Sequence, residues 1–591
     1  MEYPTITATP KSKQNVDSFN GYNHNLRIAE NEFFDMKNMT SDYYPVLSPR
    51  GKRGLYASPD HPTGLIAKDA LCYVDGRNFV INEYTIDMGL NDEPKQLVSM
   101  GAWVIIMPDK KWVNTMNREW GEIEKHVTTE GLVSFELCTV TGDIYKNPPK
   151  SPDEPQEPNN LDLWLDTSTT PHTLKQYSAS SSTWVAIPTT YIKITCPGSQ
   201  IGTIFSQYDG VTISGVTSLL DLNSATTIWS CDGDSIIVPG ILDNYTEQDT
   251  PICISRWMPK MDILTESNNR LWGCFYGFPY MGKAYNVEKG VTEDVYGEEA
   301  VNEIYSCKLG DFNNWNTFMG LSTDSYVVSV GTDGQWTGAI THRGYPCFFK
   351  ENVLHKVYGD YPSNYRVQDT ACRGVQKGCS NSLAIVNEVL YYKARSGVCA
   401  YDGSLPVEVS YQFGNERYGN AVGGAHGNKY YISMMGADGE YNLFVYDTVS
   451  GMWHKEDDLK VDYFCSSDGE LYAIADGKII TMLGSGTKDA DPVEWMVQTG
   501  EFGLSTPDMK YISRLNIRMS MAAGSSLEVF IQYDLDESWE RICTLSCTSL
   551  RSLSIPIMPR RCDHFKLKIE GIGEAKIYGI TKTIAQGSGL S

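Results

Sequence analysis

Short β-rich runs separated by turn residues recur along the chain, and they constrain the fold more than any other feature. In residues 387–404, the runs 389–392 and 398–401 are predicted strands, the turn between them is at 394–397, and Asp402-Gly403 turns the chain again. Runs of this length bounded by Gly, Asn, Asp or Ser are typical of β-hairpins. Similar runs fill the stretch from Asn268 to Gly414. Strands repeated four to a unit form the blades of a β-propeller, so we predict an all-β fold with a propeller of five to seven blades.

The rhythm of these runs changes along the chain and predicts five segments. Near the C-terminus, Leu527, Val529 and Ile531 alternate with polar residues, which favours a β-sandwich of jelly-roll type. Near the N-terminus, the apolar residues are spaced too irregularly for a long helix, and one short helical turn is predicted at 30–37. The predicted segments are an extended N-terminal segment contributing to assembly and to the propeller (1–63), the first part of the propeller (64–116), one or more inserted β domains (117–258), the main part of the propeller (259–490) and the C-terminal sandwich (491–591).

The predicted insertion contains a proline-rich acidic stretch, NPPKSPDEPQEPNN, at 147–160. Such a composition disfavours packing, so we predict a loose connection there. Deletion of 147–258 is therefore expected to leave the propeller and the sandwich folded. Within the insertion, a small core is predicted from Trp164, Leu174, Tyr177 and Trp184.

The composition excludes some classes of function. Lys and Arg number 49 and Asp and Glu number 73, which gives a net charge of −24. A chain this acidic is poorly suited to tight binding of duplex DNA, which depends on neutralising phosphates. The charge also fits a surface past which DNA slides, or it serves solubility alone. The 15 cysteines are spread singly and are predicted to be buried small hydrophobic residues of a protein made in a reducing compartment.

The sequence carries no recognisable catalytic motif. It lacks HExxH, GxSxG, P-loop and GxGxxG patterns, and its nine histidines are scattered. The nearest match to a sialidase box, Gly331 to Trp336, departs from that box and occurs once, so Asp333 and Trp336 are interpreted as a turn residue and a core aromatic. We predict no enzymatic activity, no catalytic residues, no cofactor and no metal. The N-terminus has no secretory h-region, and no apolar run reaches the length of a membrane span.

A short basic segment interrupts the acidic chain beside two tyrosines. Arg50, Lys52 and Arg53 follow Tyr43 and Tyr44. The three basic residues are either a solvated loop or, with the tyrosines beside them, a contact with an acidic surface of a neighbouring protein and not with DNA. In the second interpretation, exposed charges steer docking and contribute little to stability. Replacing the three basic residues with Glu is then expected to impair assembly and leave the melting temperature nearly unchanged.

Several motifs resemble those of phage virion proteins. The opening, at 19–22, 32–39 and 44–50, resembles the start of virion proteins from phages and prophages of Gram-positive gut bacteria. Two further stretches resemble the propeller signature of the tail nozzle, or packaged-DNA stabilisation, family of short-tailed phages: Asn269-Arg270-Leu271-Trp272 and Ile304-Tyr305-Ser306 with Gly310-Asp311 and Asn314-Trp315. The stretch 559–565 is similar to the same phage proteins. The resemblance spans about two thirds of the chain and skips 117–258.

The resemblance implies a structural role in a virion tail. Copies of the chain, six in the implied family, would form a ring below the portal and adaptor proteins. That ring would contact tail fibres or spikes, retain packaged DNA and contact double-stranded DNA transiently during ejection. The protein would be made in the host bacterial cytoplasm, with no membrane contact. An alternative is a receptor-binding tail protein that binds or depolymerises glycans through the sandwich, although a fold by itself does not imply a function.

Overall fold

The structure is a computed structural model that describes residues 11–277, 281–286, 291–296, 301–488, 491–504, 509–534, 536–558 and 560–586. Strands make up nearly all of its regular structure, so the all-β prediction is confirmed. The helical elements of the described ranges are single turns: Ile201–Ile204 (α), and Leu220–Leu222, Pro362–Asn364, Ser380–Ser382 and Tyr411–Phe413 (3-10). None of the helices in these ranges has the length and apolar character needed to cross a bilayer.

Seven antiparallel sheets, six with four strands and the seventh with five, make up the propeller, and we number them in chain order as blades 1 to 7. Blades 1 to 3 consist of Pro62–Lys68, Ala70–Asp75, Asn78–Ile81 and Tyr84–Asp87; Gln96–Met100, Trp103–Met107, Lys111–Asn114 and Trp120–Glu122; and Ile263–Ser267, Arg270–Phe275, Glu303–Ser306 and Tyr326–Ser329. Blades 4 to 6 consist of Gly338–His342, Tyr345–Phe349, Val353–Tyr358 and Arg366–Ala371; Ala384–Val386, Val389–Lys393, Val398–Tyr401 and Val407–Glu408; and Tyr418–His426, Lys429–Gly436, Tyr441–Asp447 and Met452–Lys455. A separate hairpin, Met281–Asn286 with Val291–Tyr296, leaves blade 3 between its second and third strands.

The blades are arranged in a closed circle. The first strand of each blade lies beside the first strand of the next, except that the turn Ser380–Ser382 makes this contact between blades 4 and 5. The first strand of blade 7, Tyr463–Ser467, lies beside Pro62–Lys68 of blade 1. This circular order is that of a seven-bladed β-propeller, at the upper end of the predicted range.

The N-terminal segment completes blade 7. This blade takes Tyr463–Ser467, Glu470–Ala475 and Lys478–Thr481 from the end of the propeller and Gly54–Ala57 from the start of the chain, with Thr487–Lys488 paired outside. Gly54 is required at this junction, since a Cβ there would lie 2.2 Å from the Ser485 carbonyl oxygen and 2.5 Å from Thr481 Oγ1. Pairing the two ends of the propeller in one sheet joins its first and last blades, so the circle has no unpaired seam.

The sandwich also depends on the N-terminal segment. The first of its two sheets contains, in spatial order, Lys11–Val16, Ala575–Gln586, Lys510–Met521 and Arg551–Ile555, and Arg561–Cys562 also pairs with Lys510–Met521. The second sheet contains, in spatial order, Phe33–Lys37, Glu494–Thr499, Phe565–Ile572, Ser526–Tyr533 and Glu540–Leu545. Leu527, Val529 and Ile531 are buried between them, as the alternation predicts. The predicted helical turn at 30–37 is wrong, because Phe33–Lys37 is a strand. A register shift after Phe33 buries Phe33 and Met36, three residues apart, and this spacing imitates a helix.

The insertion connects blade 2 to blade 3 and has its own core. Its strands run from Lys125 to Arg256. The predicted range 117–258 is therefore too wide, because Trp120–Glu122 belongs to blade 2. Three sheets build it: Lys125–Thr128, Cys253–Arg256, Gly210–Ser214 and Ala225–Thr227; Ser230–Asp232, Ser235–Pro239, Tyr191–Thr195, Val133–Cys138 and Thr246–Gln248; and Lys150–Ser151, Leu163–Asp166, Thr173–Ser178 and Thr183–Ala186. The predicted aromatic cluster is present, with the Trp184 ring 5.4 Å from Trp164 and 5.3 Å from Tyr177.

The connection of the insertion is not loose. The proline-rich stretch lies inside the insertion, where Lys150–Ser151 is an edge strand. The two ends of the insertion pair directly with each other, Lys125 opposite Arg256. Arg256 is buried, donates to the Ile123 carbonyl oxygen of the propeller and lies 2.9 Å from the Asp209 carboxylate. Buried charge pairing fixes the junction, so the insertion is firmly attached to the propeller.

Candidate functional site

The basic segment lies between the propeller and the sandwich. A two-residue ladder, Met39–Thr40 with Ser48–Pro49, forms a hairpin in this part of the chain. The adjoining Leu47 pairs with Ile577 of the sandwich, and the Asn38 side chain donates to the Glu494 carbonyl oxygen at 2.7 Å. The residues singled out by the sequence therefore stand where the two domains meet.

Arg53 forms a buried ion-pair network within the chain. Its side chain is 2.7 Å from both the Glu456 and the Asp457 carboxylates, at the end of blade 6. Arg50 lies 3.5 Å and 3.3 Å from the same two carboxylates and donates to the Asn38 side-chain oxygen at 2.8 Å. Arg53 is only 7% exposed. The expectation of an exposed basic patch is therefore wrong for both arginines, whose partners lie some 400 residues along the chain.

The protonation of this network follows from burial and pairing. Burial favours the neutral form of Arg53, but the Glu456 and Asp457 carboxylates outweigh it and raise the Arg53 pKa. Burial lowers the pKa of Arg50, and repulsion from Arg53 adds to this. Burial favours protonated Asp457, but the charge of Arg53, the hydrogen bond from Arg53 and the charge of Arg50 together outweigh burial and lower the Asp457 pKa. These ion pairs hold the N-terminal segment against blade 6.

The two tyrosines remain accessible. Tyr43 is 49% exposed and Tyr44 is 48% exposed. The Lys576 ammonium lies 3.7 Å from the centre of the Tyr43 ring, a cation–π contact with the sandwich. The Tyr44 hydroxyl lies 3.3 Å from the Ser18 hydroxyl. Lys52 is half-buried. A contact of Tyr43, Tyr44 or Lys52 with a partner protein stays a prediction.

A cleft of about 540 Å³ opens beside this network, and we call it the interdomain cleft. Tyr43 and Arg50 are the predicted residues that line it, and Glu456, Tyr431 and Lys576 are among the others. It also contains Asp42. Burial by itself would raise the Asp42 pKa, but the hydrogen bond and charge of the Lys429 ammonium, 2.6 Å away, and the hydrogen bond from Thr40 together lower it. The sequence could not indicate Glu456, Asp457 or Lys576, because nothing local links them to the basic segment.

His454, on the strand Met452–Lys455 of blade 6, makes the free energy of unfolding depend on pH. Burial first, and then the charge of Lys429, lower its pKa from 6.5 to about 4. Between these values the unfolded chain binds a proton that the folded chain does not, so stability falls as the pH falls. We expect His454 alone to lower the free energy of unfolding by about 2 kcal/mol when the pH falls from about 7 to about 5. Urea midpoints at both pH values test this.

The matched variant His454→Phe keeps a buried ring without a titrating group, and its midpoint should change less between the two pH values. His355 has its pKa lowered to about 4 in the same way, by burial and then by Lys350, so part of the acid sensitivity should persist. Equal pH sensitivity in the variant and the wild type would show that His454 is not the source.

The motif residues of blade 3 form a second buried network. Arg270 donates to the carbonyl oxygens of Cys307, Asp324 and Ser322 at 2.8, 2.6 and 2.9 Å. Trp315 is buried, and its ring N–H donates to the Phe312 carbonyl oxygen. These side chains satisfy backbone carbonyls around the long connection of blade 3, so their role is structural.

Asn314 extends this network into the insertion. Its amide group donates to the Asp311 carboxylate at 2.5 Å and to the Asp209 carboxylate at 3.0 Å, and its oxygen accepts the Gly210 N–H at 2.9 Å. Asp209 in turn pairs with Arg256. Asn314 of the signature motif, which also bonds Asp311, therefore holds the insertion against blade 3. At the other end of the chain, the backbone N–H groups of Asp563 and His564 donate to Asp534, and Pro559 lies outside the described residues.

The cysteines and the other metal-ligating side chains form no metal site in the part of the chain that the structure describes. All 15 cysteines are free thiols, nine of them buried and six half-buried. Within the described ranges, no group of three or more His, Cys, Asp or Glu side chains is placed to hold a metal ion. Trp336 is buried in the propeller, as its interpretation as a core aromatic predicts.

Comparisons with known proteins give only remote likenesses. No family model matches the sequence. No curated protein matches it either. Among solved structures, PorZ of the type-IX secretion system of Porphyromonas gingivalis is 10% identical with a TM-score of 0.22, covering 88% of this chain and 82% of that one. A glycoside hydrolase is 12% identical with a TM-score of 0.21, over 53% of this chain and 96% of its own. Trypanosoma rangeli sialidase is 8% identical with a TM-score of 0.18, over 79% and 93%. At these TM-scores the likenesses carry no argument about function.

Proposed function

We propose that this protein is a non-enzymatic structural component of the tail of a short-tailed phage. In this proposal, copies of the chain form a ring, the tail nozzle, below the portal and adaptor proteins. The ring retains packaged DNA, contacts tail fibres or spikes and forms the channel through which DNA leaves. The support comes from the motif resemblance together with the roles of the motif residues in the fold.

The observation that carries the proposal is the use of the signature residues in the framework. Arg270, Asp311 and Asn314 are occupied by hydrogen bonds within blade 3 and to the insertion. A residue held by several buried hydrogen bonds maintains the geometry of its surroundings, whereas a catalytic group needs access to a substrate. Motifs of this kind are what a scaffold protein needs to keep a large insertion and a propeller in fixed positions.

The net charge of −24 is compatible with the proposed channel. DNA is a dense line of negative charge, and a wall rich in lysine and arginine would bind it and slow its passage. An acidic protein repels DNA and lets it move. Solubility alone would also account for the charge, so the charge supports the proposal without deciding it.

The position and copy number of the chain in intact particles test the proposal. Antibodies raised against the full chain, used with electron microscopy of particles, should label the tail below the portal. Quantitative mass spectrometry against the portal protein should give several copies per particle, consistent with a ring. Absence from particles would overturn the proposal. Labelling at the tips of fibres, with a trimeric copy number, would support the alternative of a receptor-binding protein.

A further inference from the structure

A second cleft, of about 620 Å³, opens between the N-terminal segment and blades 5 and 6. Its lining includes Arg373, Lys393 and Arg417, and we call it the cationic cleft. Its volume lies within the range typical of small-molecule sites. In a chain with a net charge of −24, three cations converging on one depression call for an explanation.

Lys393 contributes a buried ammonium to the cationic cleft. Lys393 is only 3% exposed. The ammonium donates to the Gln376 side-chain oxygen at 2.8 Å and to the Ala394 carbonyl oxygen at 2.6 Å, and both of these acceptors are neutral. An ammonium has three N–H donors, so the two acceptors leave one donor for a further partner. Burying a positive charge among neutral acceptors is costly, and a bound anion would offset that cost.

Two arginines lie nearer to the solvent. Arg373 pairs with Glu408 at 3.1 Å, where its side chain is about half exposed. Arg417 is exposed, and its guanidinium donates to the Glu416 carbonyl oxygen at 3.2 Å. A guanidinium presents five donors in a planar fork, so each of these arginines keeps donors for a carboxylate or a phosphate.

The balance of charge distinguishes this cleft from the interdomain cleft. The cationic cleft contains three cations against the two carboxylates of Glu408 and Glu416. The interdomain cleft contains two cations, Arg50 and Lys576, against three carboxylates. Both arginines of the cationic cleft are also able to reorient because they are exposed. An anionic ligand is therefore favoured here and disfavoured beside Arg50.

The neutral groups of the cationic cleft indicate the rest of the ligand. Tyr411, at the rim, is 70% exposed and offers a flat amphipathic ring. Asn25 and Asn415 line the cleft with side-chain amides, and Ser396 adds a hydroxyl. The Asn25 amide nitrogen donates to the Asn23 side chain and to the Tyr411 carbonyl, which fixes that amide beside the ring. Amides and hydroxyls suit the hydroxyl groups of a sugar, and an aromatic ring suits its C–H face.

We propose that the cationic cleft binds an anionic saccharide. The carboxylate or phosphate of the sugar lies between Arg373 and Arg417 and faces Lys393. The sugar ring stacks on Tyr411, and its hydroxyls bond Asn25 and Asn415. This inference is independent of the proposed tail role, since it is argued only from the residues that line the cleft. It concerns binding alone and involves no chemical step.

Calorimetric titration of the full chain tests the proposal with defined probes. Trigalacturonate supplies a carboxylate, glucose 6-phosphate supplies a phosphate, and neutral maltotriose is the control sugar. We expect micromolar to millimolar affinity for one or both anionic sugars and none for maltotriose. The variants Arg373→Gln, Arg417→Gln and Tyr411→Ala should each weaken binding at least about tenfold, the effect of losing one charged or stacking contact. Added salt should weaken it as well.

Arg366→Gln is the matched control, because Arg366 is an exposed arginine on the outer strand of blade 4 and does not line the cleft. Melting temperatures close to that of the wild type confirm that each variant is folded. Hexaglutamate serves as a peptide probe. If the wild type binds neither anionic sugar, if the cleft variants bind as well as Arg366→Gln, or if hexaglutamate binds while both sugars fail, the proposal is overturned.

Discussion

Replacing Arg53 with methionine is expected to lower the free energy of unfolding by about 3–5 kcal/mol, the cost of removing one partner from a buried ion pair. Without the guanidinium, the Glu456 and Asp457 carboxylates lose their nearest cation in a site where their side chains are 8% and 13% exposed. Arg50 stays near both carboxylates, but at longer distances of 3.5 and 3.3 Å, so it compensates only in part. Equilibrium unfolding in urea measures the change.

Arg77→Met is the control for this prediction. Arg77 lies 3.7 Å from Asp87 on blade 1, and both side chains are largely exposed. Exposed pairs of this kind contribute at most about 1 kcal/mol, so this variant should stay close to the wild type. Combining Arg53→Met with Glu456→Gln and Asp457→Asn should recover part of the loss, because the stranded charges are then gone. Similar unfolding free energies for Arg53→Met and Arg77→Met would show that the buried network does not stabilise the fold.

This prediction reverses the expectation from the sequence that charge reversal at 50, 52 and 53 leaves the melting temperature nearly unchanged. Three basic residues within four positions are usually a solvated face, and no local feature distinguishes them from a buried cluster. The acidic partners at 456 and 457 follow the strand Met452–Lys455 of blade 6, but nothing in either stretch specifies that they meet. Burial of charge depends on pairing between distant parts of the chain, and a single sequence contains no direct record of it.

The same limit explains which parts of the fold were predictable. The hairpin Val389–Lys393 with Val398–Tyr401 and the alternation in Ser526–Tyr533 depend on neighbouring residues, and the structure confirms both. In contrast, Lys11–Val16 pairs with Ala575–Gln586, and Gly54–Ala57 pairs with Lys478–Thr481. The N-terminal segment looks merely extended because its partners are more than 400 residues away. A strand without its partner has only the weak signal of its own composition.

The cationic cleft was missed for a related reason. Arg373, Lys393 and Arg417 are separated by 20 or more residues, and each stands in an ordinary polar setting in the sequence. They meet because consecutive blades bring the ends of successive strands to one place around the propeller. The tendency to form hairpins could be predicted from the sequence, whereas the angular placement of blades, which creates such a cleft, could not. Sites in a propeller therefore emerge from the arrangement of whole blades.

Removing the insertion at its structural boundaries is expected to leave a folded protein. Lys125 and Arg256 face each other across a strand pair, so a short Asn-Gly turn can replace residues 125–256. The flanking residues stay tied together without the insertion, because the Glu124 carboxylate accepts the Met258 N–H at 3.1 Å and lies 2.7 Å from the Lys110 ammonium. The main loss is the pairing of Asp209 with Asn314 and Arg256 at the junction. We expect a soluble variant whose melting temperature is moderately lower.

Deletion of 147–258, the boundary suggested by the proline-rich stretch, is expected to have the opposite outcome. It keeps Val133–Cys138 but removes the strands on both of its sides, Tyr191–Thr195 and Thr246–Gln248. The side chains of Val133, Phe135 and Leu137, all fully buried in the insertion core, would face water. It also removes Met258, which is buried in the core between blades 2 and 3.

Exposing three large side chains costs roughly 1.5–3 kcal/mol for each, and the two bare strand edges add a template for aggregation. The two deletions should therefore differ sharply in soluble yield, in their elution from a sizing column and in their cooperative melting. The comparison is informative because the longer deletion, of 132 residues, is the one expected to fold, and the shorter, of 112 residues, is the one expected to fail. A soluble, cooperatively melting 147–258 deletion would mean that the first strands of the insertion fold with the propeller and that the junction at Arg256 is dispensable.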